Sequence, residues 1–441
     1  MKTGSLRSAT VLGAVAGLLA NAQALQAAEL SYGVDAGVGY SDNVARVADD
    51  EQGETIATLG AQLRLDHESK RLTANVATRL EYRDYLDNTY DADVIGNLVA
   101  NGSLSLVEDR LSWALTDTFG QTTQNQFAPV TPDNRENVNY FATGPDFTLP
   151  LGSRNKLLLH GRYIDLNYEN SDLGNHRLRG ELAMRRDLSA ATNVSLNVTT
   201  EETRFDDQTR FVDFDNDQAY LSYAVEAART TLTVEAGASR ITSGGDSQSG
   251  WLGRVDLKRH TSPSLTLGLG LGHDFSDAGN AFANQQTQQP GSVDPVPVQQ
   301  TASPFENTYA TAFAQFSRNR TDLQLRVGYY KESYTGQALF DRKRTTLDLA
   351  LTRNLNSSLS AHLSANYSRQ QYAELDRKFA DIIGTLGLRW NTSRSSFLKV
   401  DYQFVDRNDD SGGSDYSANE LWVRLAFLVG EDAAAGSFGN P

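Results

Sequence analysis

Hydrophobic and polar residues alternate along most of the chain. In Leu30–Tyr40, apolar side chains occupy every even position, and Ser, Gly and Asp occupy the odd ones. Successive side chains of a β-strand point to opposite faces, so this pattern predicts a strand with one apolar and one polar face. The same period recurs in Leu265–Leu271, Leu323–Tyr329 and Leu398–Phe404.

The length of these runs and the spacing between them predict the fold class. Soluble strands average about five or six residues, whereas a tilted strand needs roughly 9 to 11 to cross a bilayer, and the runs match the longer value. Short connections such as Thr261–Ser264 alternate with long ones such as 277–306. The sequence therefore predicts an all-β fold, a transmembrane antiparallel up-and-down β-barrel of roughly 18–20 strands. A soluble periplasmic β-protein is the alternative.

The pattern is less decisive in some segments. Near 138–149, 219–227 and 308–317 the alternation does not assign an inner and an outer face. The connection at 243–249 is predicted to be a long external loop. The last run, Leu421–Phe427, alternates and ends in an aromatic residue, which favours its assignment as the closing strand of a barrel.

The N-terminus predicts export from the cytoplasm. Lys2 and Arg7 precede the apolar run Ala9–Ala20, and small residues around Ala22 and Ala28 offer cleavage sites. This order is typical of a secretory signal peptide; an interfacial anchor is the alternative. The predicted parts are a signal peptide at 1–28, a barrel at 29–428 and a C-terminal tail at 429–441. The expected location is the outer membrane of a Gram-negative bacterium.

Composition excludes several classes of function. The net charge of −15 disfavours nucleic acid as a partner, because phosphate binding needs a basic surface. The absence of cysteine removes disulfides, thiolate metal sites and cysteine nucleophiles. The acidic run Asp213–Asp217 lacks the glycine and distal glutamate of a calcium loop. We therefore expect a protein that is not an enzyme and holds no cofactor and no metal.

Candidate functional residues lie on the polar face of the alternating runs, which would line a water-filled lumen. Arginine suits anionic or hydroxyl-rich solutes because its planar guanidinium binds carboxylates in a bidentate manner. This predicts a mildly anion-selective lumen; the alternative is that these side chains pair with acids across strands and only stiffen the wall. The candidates are Arg64, Arg79, Arg83, Arg162, Arg179, Arg185, Arg254, Arg326, Tyr330, Arg389, Lys399 and Arg424.

The longest connection, 277–306, is rich in glutamine and contains Pro290, Pro295, Pro297 and Pro304. Such a composition favours a disordered external loop. The alternative is a loop that folds into the lumen as a constriction, where its amides would contact sugar hydroxyls.

The first predicted strand ends in the motif Val38-Gly39-Tyr40-Ser41-Asp42-Asn43-Val44-Ala45-Arg46. This motif resembles the outer-membrane β-barrel proteins encoded with exopolysaccharide biosynthesis operons, including those of PEP-CTERM/exopolysaccharide systems. The resemblance implies a pore through which a new polysaccharide crosses the outer membrane. It implies a polysaccharide or sugar solute, outer-membrane lipid and periplasmic export components as partners, and it transfers no functional residues.

The expected mechanism is passive. A polymer must leave the pore as easily as it enters, so binding along the lumen should be weak and distributed. An uptake porin, general or substrate-specific, and a structural or adhesive barrel are the alternatives with the same fold.

Overall fold

The computed structural model describes residues 28–411 and 413–430, and this part of the chain forms one closed β-barrel. Twenty strands pair antiparallel, each with its neighbour in sequence, and β1 pairs with β20 to close the ring. The predicted fold class is confirmed, at the upper end of the predicted strand number. The predicted signal peptide at 1–28, apart from Ala28, and the predicted tail at 429–441, apart from its first two residues, lie outside the described residues.

The strands are β1 (Glu29–Ser41), β2 (Glu54–Glu68), β3 (Leu72–Tyr85), β4 (Asp93–Val107), β5 (Leu111–Thr123), β6 (Arg135–Pro150), β7 (Asn155–Tyr168), β8 (Asn175–Ser189), β9 (Thr192–Phe205), β10 (Phe214–Ala227), β11 (Thr230–Ser243), β12 (Asp246–Ser262), β13 (Leu265–Ser276), β14 (Phe305–Arg318), β15 (Thr321–Tyr334), β16 (Arg342–Asn354), β17 (Leu359–Tyr372), β18 (Arg377–Asn391), β19 (Ser396–Asp409) and β20 (Tyr416–Val429). In the described ranges one α-helix, α1 (Ala278–Thr287), and two 3-10 turns, Pro132–Asn134 and Ala338–Phe340, lie in the connections. No helix among the described residues is long and apolar enough to cross a membrane.

The apolar face of each strand points outward. On β13, Leu267, Leu269 and Leu271 are 40–41% exposed. The register places Leu269 opposite Leu257 of β12 and Ala312 of β14, so the apolar surface continues around the ring. A continuous apolar exterior on a closed barrel is the surface that lipid covers.

Aromatic side chains flank this apolar surface at both ends of the strands, as expected at the two membrane–water interfaces. Exposed aromatic residues near the short turns are Tyr32, Trp113, Phe147, Trp390 and Phe427; those nearer the long connections are Tyr40, Tyr82, Tyr163, Trp251, Tyr329 and Tyr402. Short turns lie on the periplasmic side of such barrels. The protein is an outer-membrane β-barrel, and both ends of its strand ring are periplasmic.

The connection predicted as a long loop at 243–249 is instead a two-residue turn, so that prediction is wrong. Gly244 and Gly245 join β11 to β12 with φ of 60° and 91°, values that glycine adopts without strain. The polar residues Asp246–Ser249 continue β12 as a strand. Above the bilayer both faces of a strand meet water, so polarity there does not distinguish strand from loop.

The ambiguous segment near 308–317 is β14, which carries aromatic residues on its inner face. Gly268 and Gly272 of β13 lie under the rings of Phe313 and Tyr309, and a Cβ atom at either glycine would be within 1.9–2.1 Å of the ring. The Leu-Gly alternation of β13 therefore provides space for these inward aromatic rings.

We predict that Leu269→Arg lowers the free energy of unfolding in lipid vesicles by about 2–4 kcal/mol, because the charge would lie in the hydrocarbon layer. The control is Gln324→Arg, which places the same charge at an exposed position on the inner face of β15. It should change the free energy by less than about 1 kcal/mol. Equal losses in both variants would contradict the assignment of the outer face.

Candidate functional site

On strand β15 the inner face is accessible toward the periplasmic end and buried toward the extracellular end, whereas on β1 the inward Ser31 and Asp35 are buried toward the periplasmic end as well. On β15, the inward residues Gln324 and Arg326 are exposed, whereas Glu332 and Tyr334, further along the strand, are each 5% exposed. On the neighbouring β16, Arg342 at the extracellular end is 3% exposed. The lumen therefore has an accessible polar region beside β15 on the periplasmic side, which we call the vestibule, and the lumen is filled toward the extracellular end of this strand.

The connection between β13 and β14, residues 277–304, closes it, and we call it the inserted loop. Phe282 of α1 is 1% exposed and packs against Val138, Ile164 and Leu166 on the inner faces of β6 and β7. The favoured expectation of an external loop is wrong, and the alternative, a loop folded into the lumen, is correct. This packing also explains why the alternation near 138–149 did not assign an inner face. The inner face of β6 is apolar where the inserted loop covers it.

A buried ion pair holds the start of α1 against the wall. The Arg177 guanidinium donates to both carboxylate oxygens of Asp277 at 2.8 and 3.0 Å, and to Glu201 at 3.0 Å. Asp277 also accepts from the backbone N–H groups of Gly279 and Asn280, and so caps the helix. Arg177 is 2% exposed. One carboxylate thus connects the helix to strand β8.

The later part of the inserted loop joins β5 like a short extra strand. The Val296 N–H donates to the Gln121 carbonyl at 2.8 Å, and the Thr122 hydroxyl donates to the Val296 carbonyl at 3.1 Å. The Gln126 amide donates to the Val298 carbonyl at 2.7 Å. On the inserted loop all three bonds use backbone atoms, so they attach it to β5 and to Gln126 without regard to its own side chains.

The same stretch contacts the far wall. Arg342 of β16 donates to the Pro297 carbonyl at 3.3 Å, and its Nε lies 2.6 Å from Glu332. The Tyr372 hydroxyl of β17 donates to Gln299 at 3.4 Å. Strands β5 and β16 lie roughly opposite each other in the ring, so the inserted loop spans the lumen from side to side.

A second inserted loop, residues 124–134 between β5 and β6, completes the closure. The Phe127 ring lies 4.8 Å from the Tyr372 ring, centroid to centroid. Arg377 of β18 donates to the Phe127 carbonyl at 3.0 Å, and Arg407 of β19 donates to the Ala128 carbonyl at 2.9 Å. Arginine side chains from the wall therefore hold backbone carbonyls of both loops.

All twelve sequence-predicted residues lie on the inner face by the strand alternation, and most are paired with acids. Eight form ion pairs: Arg64 with Asp66, Arg79 with Asp35 and Glu81, Arg83 with Glu81, Arg162 with Asp146, Arg179 with Glu201, Arg185 with Asp187, Arg254 with Glu235 and Asp274, and Lys399 with Asp401. This pairing stiffens the wall and reduces the positive field in the lumen.

The other four have different surroundings. Arg326 donates to Gln288 of the inserted loop at 3.0 Å, and Arg389 donates to Asn391 at 3.0 Å. The Arg424 guanidinium lies 4.8 Å from the centre of the Trp422 ring. The Arg344 guanidinium lies 4.5 Å from the centre of the Tyr330 ring and covers one of its faces. A sugar could stack on that face of Tyr330 only after Arg344 moved. Within the described ranges, no group of three or more His, Asp or Glu side chains is placed to hold a metal ion.

Sequence reasoning missed the residues that hold the inserted loop, notably Arg177, Arg342 and Asp277. The alternation places both arginines on the inner face but does not show which inward arginine meets a loop. A helix signal was present: Asp277 precedes a run with three alanines and two glutamines, which favour helix after an N-cap aspartate.

The pKa of Asp277 reflects this environment. Burial alone would raise the pKa of the carboxyl group, but the charge of Arg177 and hydrogen bonds from Arg177 and Asn280 outweigh burial and lower it. Asp277 therefore stays ionised at neutral pH, and the anchor of α1 is intact there.

No protein-family model matches the sequence, and no curated protein matches it at a significant level. Among solved structures, a mutant of the ferric enterobactin receptor PfeA of Pseudomonas aeruginosa has 9% identity and a TM-score of 0.48, covering 91% of this chain and 80% of that one. OpdK of Pseudomonas aeruginosa with vanillate has 10% identity and a TM-score of 0.38, covering 91% and 99%. A loop-deletion mutant of OmpT, an outer membrane protein of Vibrio cholerae, has 9% identity and a TM-score of 0.34, covering 92% of this chain and 100% of that one. No function is transferred at this level of similarity.

We predict that Asp277→Asn speeds hydrogen exchange in α1, because a buried guanidinium loses its charged partner, at a cost of about 3–5 kcal/mol. The exposed pair of Arg210 and Asp172 supplies the control. Arg210→Gln should leave exchange in its loop and in α1 nearly unchanged, since exposed pairs contribute about 0–1 kcal/mol. An unchanged exchange rate in the Asp277 variant would show that the ion pair does not hold the helix.

We also predict that α1 loosens at low pH. Because the pKa of Asp277 is lowered on docking, the anchor contributes fully above its ordinary value of 3.8 and is lost as pH falls through the docked-state pKa. Hydrogen exchange in α1, corrected for its intrinsic pH dependence, should accelerate below about pH 4. Asp277→Asn should reduce this pH dependence, and an identical profile in the variant would refute the assignment.

Proposed function

We propose that this outer-membrane barrel is a gated pore that exports an exopolysaccharide from the periplasm. The observation that carries the proposal is the asymmetry of the lumen. Its periplasmic part is polar and exposed at Gln324 and Arg326, and its extracellular part is filled by the two inserted loops. A polymer moving outward would enter the vestibule first and reach the closed part last.

The lining suits hydroxyl-rich chains. Asn101, Asn366 and Gln324 present amides to the lumen, and most basic side chains are neutralised by neighbouring acids. Amides and paired ions exchange single hydrogen bonds with sugar hydroxyls at little net gain, because water offers the same bonds. Binding is then weak and spread along the wall, as conduction requires. No bond is made or broken, so the proposal includes no enzyme activity and no cofactor.

Transport requires the inserted loop to move. The bond from the Val296 N–H to the Gln121 carbonyl joins two backbones, and the bond from the Thr122 hydroxyl to the Val296 carbonyl joins a side chain to a backbone; both are of the kind that can open and re-form, as at the edge of a sheet. In this proposal the arriving polymer, together with periplasmic export components at the short turns, displaces this stretch.

We predict that joining the inserted loop to the wall stops transport. The chain has no cysteine, so Thr122→Cys with Val296→Cys can form one defined disulfide. Paired strands lie about 4.8 Å apart, which is within the range of a disulfide. Single-channel conductance and extracellular polysaccharide should fall under oxidising conditions and recover with reductant. Thr122→Cys alone is the control and should not respond; full activity of the oxidised double variant would exclude this loop as the gate.

Gene deletion tests the direction and the substrate. Loss of extracellular polysaccharide, with polymer retained in the periplasm and rescue by the wild-type gene, is the expected result. Unchanged secretion combined with slower growth on a sugar or other nutrient would favour an uptake porin. Unchanged secretion and uptake combined with weaker cell attachment would favour a structural or adhesive barrel.

A further inference from the structure

Four positively charged side chains lie together on the outer face of β15 to β18, close to the extracellular ends of these strands. The register places Lys331 of β15 opposite Lys343 of β16, Lys343 opposite Gln371 of β17, and Gln371 opposite Lys378 of β18. Because neighbouring strands are about 4.8 Å apart, this row spans about 14 Å of the outer wall. The fourth cation, Arg369, lies two residues from Gln371 on the same face of β17. We call Lys331, Lys343, Arg369 and Lys378 the outer basic patch.

The outer basic patch lies just above the surface that faces the hydrocarbon layer. Four residues below the lysines on the same strands, the register pairs an apolar row that consists of Val327, Leu347, Tyr367 and Ile382. Val327, Leu347 and Ile382 are 40–43% exposed, and the exposed aromatic ring of Tyr329 lies between the two rows. Four residues of a strand tilted near 45° rise about 9 Å. The patch therefore lies at the level of the lipid headgroups.

The four cations lack acidic partners, unlike most arginines of the lumen. None of them forms an ion pair or a side-chain hydrogen bond with a residue of the described ranges, whereas Arg177 and Arg342 on the inner face are each held by carboxylates. Lys331 and Lys343 face each other directly, and like charges in that arrangement destabilise a strand pair. A chain with a net charge of −15 thus carries a positive field at one level of its outer wall.

Acidic residues limit the outer basic patch on both sides. On β14, a carboxylate oxygen of Glu306 lies 2.9 Å from the His273 ring. On the other side, the backbone N–H of the exposed Asp410 donates to the Lys378 carbonyl at 2.9 Å. The positive surface is therefore confined to four neighbouring strands, which is wide enough for one lipid headgroup with two phosphates.

We propose that the outer basic patch binds the phosphate groups of lipid A, the phosphorylated glycolipid part of lipopolysaccharide in the outer leaflet. Ammonium groups attract phosphate as point charges, and the guanidinium of Arg369 offers phosphate two parallel hydrogen bonds. A lipid is the occupant because the patch continues directly into the apolar row, against which the acyl chains of the same molecule would lie. The inference is independent of the proposed export function, since it concerns the outer wall and not the lumen.

The test measures binding of lipid A to the full barrel in a non-ionic detergent, with lipid A from which both phosphates have been removed as the uncharged counterpart. Lipid A should bind, and the phosphate-free lipid should bind about tenfold or more weakly. Lys331→Gln combined with Lys343→Gln should weaken binding of lipid A about 25-fold, because each lysine near an anionic lipid surface contributes a factor of about five.

A matched control is available at the periplasmic end of the same strands. Arg318 and Arg353 are exposed on the outer face, each paired in register with Thr321 between them. Arg318→Gln combined with Arg353→Gln removes the same net charge and should change binding of lipid A by less than about twofold. Lys331→Arg combined with Lys343→Arg keeps the charge and should retain binding, which separates loss of the site from loss of folding.

Four results would overturn the inference. Equal binding of the phosphate-free lipid would exclude phosphate recognition, and unchanged binding in the double glutamine variant of the lysines would exclude these residues. Equal weakening in the arginine control would reduce the effect to net charge. Inorganic phosphate in excess should leave lipid A bound; if it displaces the lipid completely, the residues hold a free anion and the assignment to a lipid is wrong. None of these results bears on whether gene deletion blocks secretion.

Discussion

The pairing of β1 with β20 is the constraint on which the rest of the structure depends. Inside a bilayer no water is available to bond with peptide groups, so every strand needs two neighbours and the sheet must close on itself. The register from Tyr32 opposite Val429 to Ser41 opposite Glu420 supplies the last of these neighbours. Closure of so many strands leaves an interior that wall side chains cannot fill. A lumen, and space for a loop within it, follow from hydrogen-bond satisfaction.

Charge inside this lumen is used mainly to position other groups. Arg177, Arg342, Arg377 and Arg407 each bind an acid or a backbone carbonyl that fixes a loop or a neighbouring strand. Removing a guanidinium from water is costly, and the cost is offset only where several acceptors converge. The positive charge on the inner face is therefore largely internal scaffolding.

The sequence alone was enough to predict the barrel fold, but it did not determine that two loops fill part of the lumen. Two-residue periodicity identifies a strand from its own residues, so runs such as Leu323–Tyr329 could be assigned directly. The path of residues 277–304 depends on partners far away in sequence, such as Arg177 and Thr122. A glutamine- and proline-rich segment can have the same composition inside a lumen as outside a cell, so the composition of this segment does not determine its location.

The bond between Arg177 and Asp277 joins residues that are 100 positions apart. Contacts of such long range form late, since the intervening chain must first be ordered. Five strands, β9 to β13, separate the two partners, and β14 to β17 must also stand before Arg342 and Tyr372 can receive the loop. A ring that had closed without these contacts would keep an open lumen, so docking of the inserted loop, and not closure of the ring, is what seals the barrel.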